Sequence, residues 1–84
     1  MGQAIPKLTL YTREACHLCD DMWQHLREIQ AEQAFELVRV DVDSQSALQR
    51  RFGTLVPVLL GSDQIICNYY LDPVALEQYL TGIV

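Results

Sequence analysis

Leu8-Thr9-Leu10-Tyr11-Thr12-Arg13-Glu14-Ala15-Cys16-His17-Leu18-Cys19 is the stretch that decides how this chain is read. An apolar run ends at Tyr11 and a helical pattern begins near Leu18, so Cys16 and Cys19 fall at a strand-to-helix junction. A Cys-x-x-Cys placed there in a small α/β chain reads as a redox dithiol. The first N–H groups of a helix lack intrahelical partners and carry the positive end of its dipole, which stabilises a thiolate. A thiol so placed has a pKa lowered to roughly 3.5–7.5, against about 8.5 for free cysteine. The second cysteine, about one turn further on, is placed to attack a mixed disulfide and release the first. The residues therefore point to dithiol–disulfide exchange.

Outward from this segment, the elements alternate. Lys7 to Thr12 reads as a first strand with Leu8 and Leu10 on one face. Cys16 to Glu32 reads as a first helix, because Leu18, Met22, Leu26 and Ile29 recur at helical spacing. Phe35 to Val42 is the second strand, with Val38, Val40 and Val42 as β-branched bulk. Asp43 or Ser44 is expected to N-cap a short second helix that runs through Phe52 and stops at Gly53. Val56 to Leu60 is the third strand; Gly61, Ser62 and Asp63 turn the chain; Gln64 to Asn68 is the fourth. Asp72 followed by Pro73 is an N-cap with proline at the first helical position. The third helix runs to about Leu80, with Leu76, Tyr79, Leu80 and Ile83 toward the core. A βαβ unit followed by ββα implies a four-stranded mixed sheet with three helices.

The chain has 84 residues, half of them hydrophobic, and is expected to form one domain over 1–84. Its formal net charge is −5 and its six basic residues are scattered, which argues against a nucleic-acid partner. No apolar run is long enough to span a membrane. Met1 to Lys7 lacks the pattern of a signal peptide, and three cysteines do not make a secreted disulfide scaffold, so a cytoplasmic monomer is expected.

Tyr11-Thr12-Arg13-Glu14-Ala15-Cys16-His17-Leu18-Cys19 resembles the active-site segment of glutaredoxins, which read Tyr, Ser or Thr, a basic residue, two variable residues, then Cys-Pro-Tyr-Cys. Val56-Pro57 resembles that family's Val-Pro, and Val40-Asp41-Val42-Asp43 its second-strand ending. The likeness covers almost the whole chain and is nearest to the short bacterial glutaredoxin-like proteins. It implies an α/β thioredoxin-like fold, β-α-β-α-β-β-α, with the dithiol at the C-terminal end of a central strand. It implies Cys16 as nucleophile and Cys19 as resolving thiol, a cis Pro57 facing them, and a Val56 backbone able to pair with an extended thiol substrate. It further implies Arg13 as a partner for the glutathione carboxylate, no tightly bound cofactor, and either glutathione or a reductase as the electron donor. The expected partners are disulfide-containing proteins or low-molecular-weight thiols.

Two departures stand out. His17-Leu18 replaces Pro-Tyr between the cysteines. Ile66-Cys67-Asn68-Tyr69-Tyr70-Leu71-Asp72 replaces the Gly-Gly segment that holds glutathione, so side chains crowd the place of its backbone. The N-terminal domain of glutathione transferases shares the fold and the Val-Pro, but the Glu-Ser pair that follows there is missing here.

Each residue also has a plainer reading. His17 either supports the Cys16 thiolate as a cation or is an exposed loop histidine. Arg13 either meets a substrate or is solvated. Cys67 either packs in the core or joins the exchange as a third thiol. Trp23 packs on the sheet; Tyr69 and Tyr70 cover the sheet end or line a substrate groove. Zinc wants four ligands and the chain offers two adjacent ones, so no metal site is assigned. The competing class is a thioredoxin-fold binding module without turnover, or a carrier of an iron–sulfur cluster shared between two chains.

Overall fold

The computed structural model describes residues 5–82. Ile83, expected on the core face of the last helix, lies outside them. Four strands and three α-helices follow in the order β1 (Lys7–Thr12), α1 (His17–Gln30), β2 (Glu36–Asp41), α2 (Ser46–Phe52), β3 (Val58–Gly61), β4 (Gln64–Asn68) and α3 (Pro73–Thr81). The strands form one sheet in the order β2-β1-β3-β4. β1 runs parallel to β2 and antiparallel to β3, with Tyr11 opposite both Val40 and Val58. This is the expected mixed α/β sheet, with β1 inside it.

Strand alternation splits the interior into two layers. Leu8 and Leu10 of β1 and Leu59 of β3 turn to one side, where they meet Met22 and Leu26 of α1, Leu76 of α3 and Phe35 just before β2. Val58 turns to the other side and joins Phe52 of α2 and Val42, with Tyr11 packed against them. The Tyr11 and Phe52 rings stack with centroids 4.6 Å apart.

The ends of the elements differ from expectation in instructive ways. Cys16 is the N-cap of α1 rather than its first residue, and the helix ends at Gln30. Val42–Ser44 forms a short 3₁₀ turn capped by Asp41, whose carboxylate accepts the Asp43 N–H at 2.8 Å. α2 therefore starts after Gln45, with no side-chain cap; neither Asp43 nor Ser44 fills that place. β3 begins at Val58, two residues later than expected. Proline has no N–H to give a ladder, and the Pro57 carbonyl instead accepts the Tyr69 N–H at 2.9 Å. α3 starts as expected, with the Asp72 carboxylate accepting the N–H groups of Val74 and Ala75, both at 3.1 Å. Gly61 has a steric reason: a Cβ there would come within 2.7 Å of the Tyr79 ring.

Candidate active site

β1 carries the chain to one end of the sheet, and Arg13 to Ala15 turn it into α1. Ala15 makes the turn with φ +56°, a left-handed conformation that a residue with a Cβ adopts at a cost of roughly 1–2 kcal/mol. Cys16 and Cys19 are joined as a disulfide with Cα atoms 5.2 Å apart. The Cys19 N–H donates to Cys16 Sγ at 3.2 Å, so the sulfur occupies the place of a capping oxygen. The two cysteines differ sharply in access. Cys16 is half-buried, whereas Cys19 is fully buried behind the first turn. His17 is exposed at the first position of α1.

Because Val58 pairs with Tyr11, Val56 and Pro57 lie at the same end of the sheet as the dithiol loop. The Val56–Pro57 peptide is cis. Pro57 is fully buried, and Val56 packs on the Phe52 layer. Tyr69 holds this segment from the far side: its N–H donates to the Pro57 carbonyl and its hydroxyl to the Thr54 carbonyl at 2.8 Å. The sequence suggests Tyr69 at the sheet end or along a groove but not this double tie; its φ of +65° carries no signal in a tyrosine.

Arg13 does not extend freely over the site. Its Nε and Nη2 donate to the two Asp43 oxygens at 3.0 and 3.2 Å, and its Nη1 to the Gly53 carbonyl at 3.0 Å. The guanidinium hydrogen bond, then that from Gln49, holds the Asp43 carboxyl below its usual range. Arg39, which sequence reasoning passed over, is likewise engaged. It donates to Asp20 at 2.8 Å and to the buried Thr12 hydroxyl at 3.2 Å, and its guanidinium lies 5.5 Å from the Trp23 ring. Its partners come from β1 and α1, far from β2 in the chain, so no local sequence signal marks it.

Cys67 is half-buried on β4, opposite Leu59, and packs against the main core. Burial pushes its thiol pKa up. Among the described residues no three or more His, Cys, Asp or Glu side chains converge as a metal site. No helix among them is long and apolar enough to cross a membrane.

A mixed four-stranded sheet with a Cys-x-x-Cys pair at a helix cap and a cis X–Pro at the same sheet end defines a thioredoxin-like protein. Residues 7–81 match the glutaredoxin-like domain family (DUF836), and the chain belongs to that family. It is similar to a Nitrosomonas europaea protein solved by solution NMR, at 36% identity and a TM-score of 0.85, over 95% of this chain and 96% of that one. It shares its fold with thioredoxin 1 of Thermosipho africanus, at 18% identity and a TM-score of 0.60, over 90% and 96% of the two chains. An uncharacterized protein of Mycobacterium tuberculosis is 32% identical over 60 residues. That match takes in 66% of this chain and 62% of the length of the mycobacterial protein.

Proposed function

We propose that this chain is a thiol–disulfide oxidoreductase in which Cys16 attacks and Cys19 resolves. The observation that carries the assignment is the asymmetry of the pair: a half-buried Cys16 whose sulfur receives an N–H at the helix cap, and a fully buried Cys19 one turn behind it. Thiolate, not thiol, is the attacking species, and a capping N–H together with the helix dipole favours the thiolate.

In the reduced protein the Cys16 thiolate attacks one sulfur of a substrate disulfide. An S–S bond forms between Cys16 and that sulfur, and the other substrate sulfur leaves as a thiolate that takes up a proton. Cys19, losing its own proton, then attacks Cys16 Sγ and expels the second substrate sulfur as a thiolate, which is protonated in turn. The substrate gains two electrons, and the protein is left with the Cys16–Cys19 disulfide. A low-molecular-weight thiol such as glutathione, or a dithiol reductase, supplies two electrons to reopen it. Protein disulfides and mixed disulfides of small thiols are the substrate class we assign, in a reducing compartment such as the cytoplasm.

The test is turnover of hydroxyethyl disulfide and of a glutathione mixed disulfide by wild-type protein and by two single variants. Cys16→Ser abolishes both activities. Cys19→Ser accumulates a covalent adduct on Cys16, visible as a mass increase equal to half of the substrate disulfide. Full activity in Cys16→Ser overturns the assignment.

A further inference from the structure

Beside the dithiol, α1 and the segment after β4 enclose a groove of about 190 Å³. Its apolar walls are Leu18 and Met22 of α1 facing Tyr69, Tyr70 and Leu71. Leu18 stands between the two cysteines in sequence, which puts one wall of the groove next to the dithiol turn, although neither cysteine lines it. One wall is fixed in advance: Tyr69 is tied by its N–H to Pro57 and by its hydroxyl to Thr54. The other aromatic is free for a ligand, since Tyr70 is 71% exposed.

The polar lining consists of Asp21 and His25, with no lysine or arginine. Arg13, three residues before Cys16, and Arg39, on the strand beside β1, are engaged with Asp43 and Asp20. Glutathione, with two carboxylates and one ammonium, carries a net negative charge that meets a carboxylate here and no unengaged guanidinium from either arginine. An aliphatic or aromatic side chain fits the walls, and a neighbouring cationic side chain complements Asp21. Aromatic walls favour such contacts, and charge complementarity selects among partners of similar shape.

We infer that this groove binds an extended protein segment carrying an apolar residue next to a lysine or arginine beside its disulfide, and that it selects such proteins over glutathione conjugates. The inference deepens the dithiol-exchange reading and rests on it. Tyr70 supplies the apolar contact and Asp21 the charge that discriminates.

The experiment compares two synthetic peptides, each bearing one mixed disulfide with 2-mercaptoethanol and identical except that a Leu-Arg pair in one becomes Leu-Glu in the other, with the glutathione–2-mercaptoethanol mixed disulfide as a third substrate. Dithiothreitol serves as reductant. The wild-type protein is expected to show a kcat/KM about tenfold higher for the Leu-Arg peptide, the ratio that about 1.4 kcal/mol produces. Asp21→Lys reverses the preference, and Tyr70→Ala lowers kcat/KM for the Leu-Arg peptide about tenfold, mainly through KM. Equal rates on both peptides, a preference for the glutathione conjugate, or an unchanged ratio in Asp21→Lys overturns the inference. Calorimetric titration with cysteine-free versions of the peptides reads the groove without turnover: the Leu-Arg peptide binds more tightly, and equal or absent binding overturns it. Wild-type turnover of hydroxyethyl disulfide separately tests the dithiol chemistry, so the two readings fail by different results.

Discussion

The Cys19 amide points at the sulfur of Cys16 from 3.2 Å, so in the exchange we propose the resolving residue also steadies the attacking sulfur through its backbone. Cys67, by contrast, sits on a strand against the core, where burial raises its thiol pKa. In the reduced protein Cys16 is expected to alkylate fastest between about pH 5 and 7, below the usual thiol range of about 8.5. Cys67 stays protonated and slow across that window. Site-resolved iodoacetamide rates check this, and equal rates for the two below pH 7 would contradict it.

The Arg13–Asp43 fork gives a pH signature. The Asp43 pKa is depressed in the folded protein, chiefly by the Arg13 hydrogen bond. Its contribution to stability is thus present above the unfolded value of about 3.9 and lost as pH falls through the lower folded one. Asp43→Asn is expected to lower the urea midpoint at pH 6, and this difference should vanish toward pH 2. Arg13→Lys keeps a charge but cannot reach both Asp43 oxygens and the Gly53 carbonyl, and is expected to show a similar loss. A mutant difference that persists unchanged at low pH is the opposing result.

Ala15 holds a left-handed backbone just before the dithiol. Ala15→Gly relieves that conformation while loosening the unfolded chain by about 0.5–1 kcal/mol. The expected net outcome is a small stabilisation, up to about 1 kcal/mol, with the Cys16 alkylation rate preserved. Chemical unfolding of the oxidised protein measures it, and a clear destabilisation would show that the turn is not strained.

Gly61→Val should be damaging, because its Cβ would approach the Tyr79 ring to 2.7 Å and the Ile66 Cδ1 to 2.8 Å. Overpacking of this kind costs about 1–3 kcal/mol. Tyr79 would also be pulled from the Lys7 carbonyl, which its hydroxyl now reaches at 3.1 Å. An unchanged thermal midpoint in Gly61→Val would mean that the ring swings aside freely.

Most of the fold was legible because its signals are local. β1 rests on a period-two run, β4 on the Gly61-Ser62-Asp63 turn before it and the start of α3 on an Asp-Pro cap, and their bounds agree with expectation. The entry to α2 was not legible. Asp43 looked like a cap, but its carboxylate is held by Arg13, thirty residues away in sequence, and by Gln49. The start of β3 moved to Val58 because Pro57 pairs outside the ladder, with Tyr69. At the candidate site the cysteine spacing and Val-Pro were visible in the sequence. The engagement of Arg13 and Arg39 and the double tie of Tyr69 were not, since each joins segments far apart in the chain.

The strand order β2-β1-β3-β4 has a consequence for how the chain comes off the ribosome. β1 is made first, yet one of its two edges stays open until Val58–Gly61 has emerged, well after β2 has covered the other. The dithiol belongs to the early half and Pro57 to the late half, so neither half holds the two together. Two fragments divided within the loop after α2 would each lack a working centre. Only a complex of the two, with β3 paired again to β1, would bring Pro57 back to the dithiol end of the sheet.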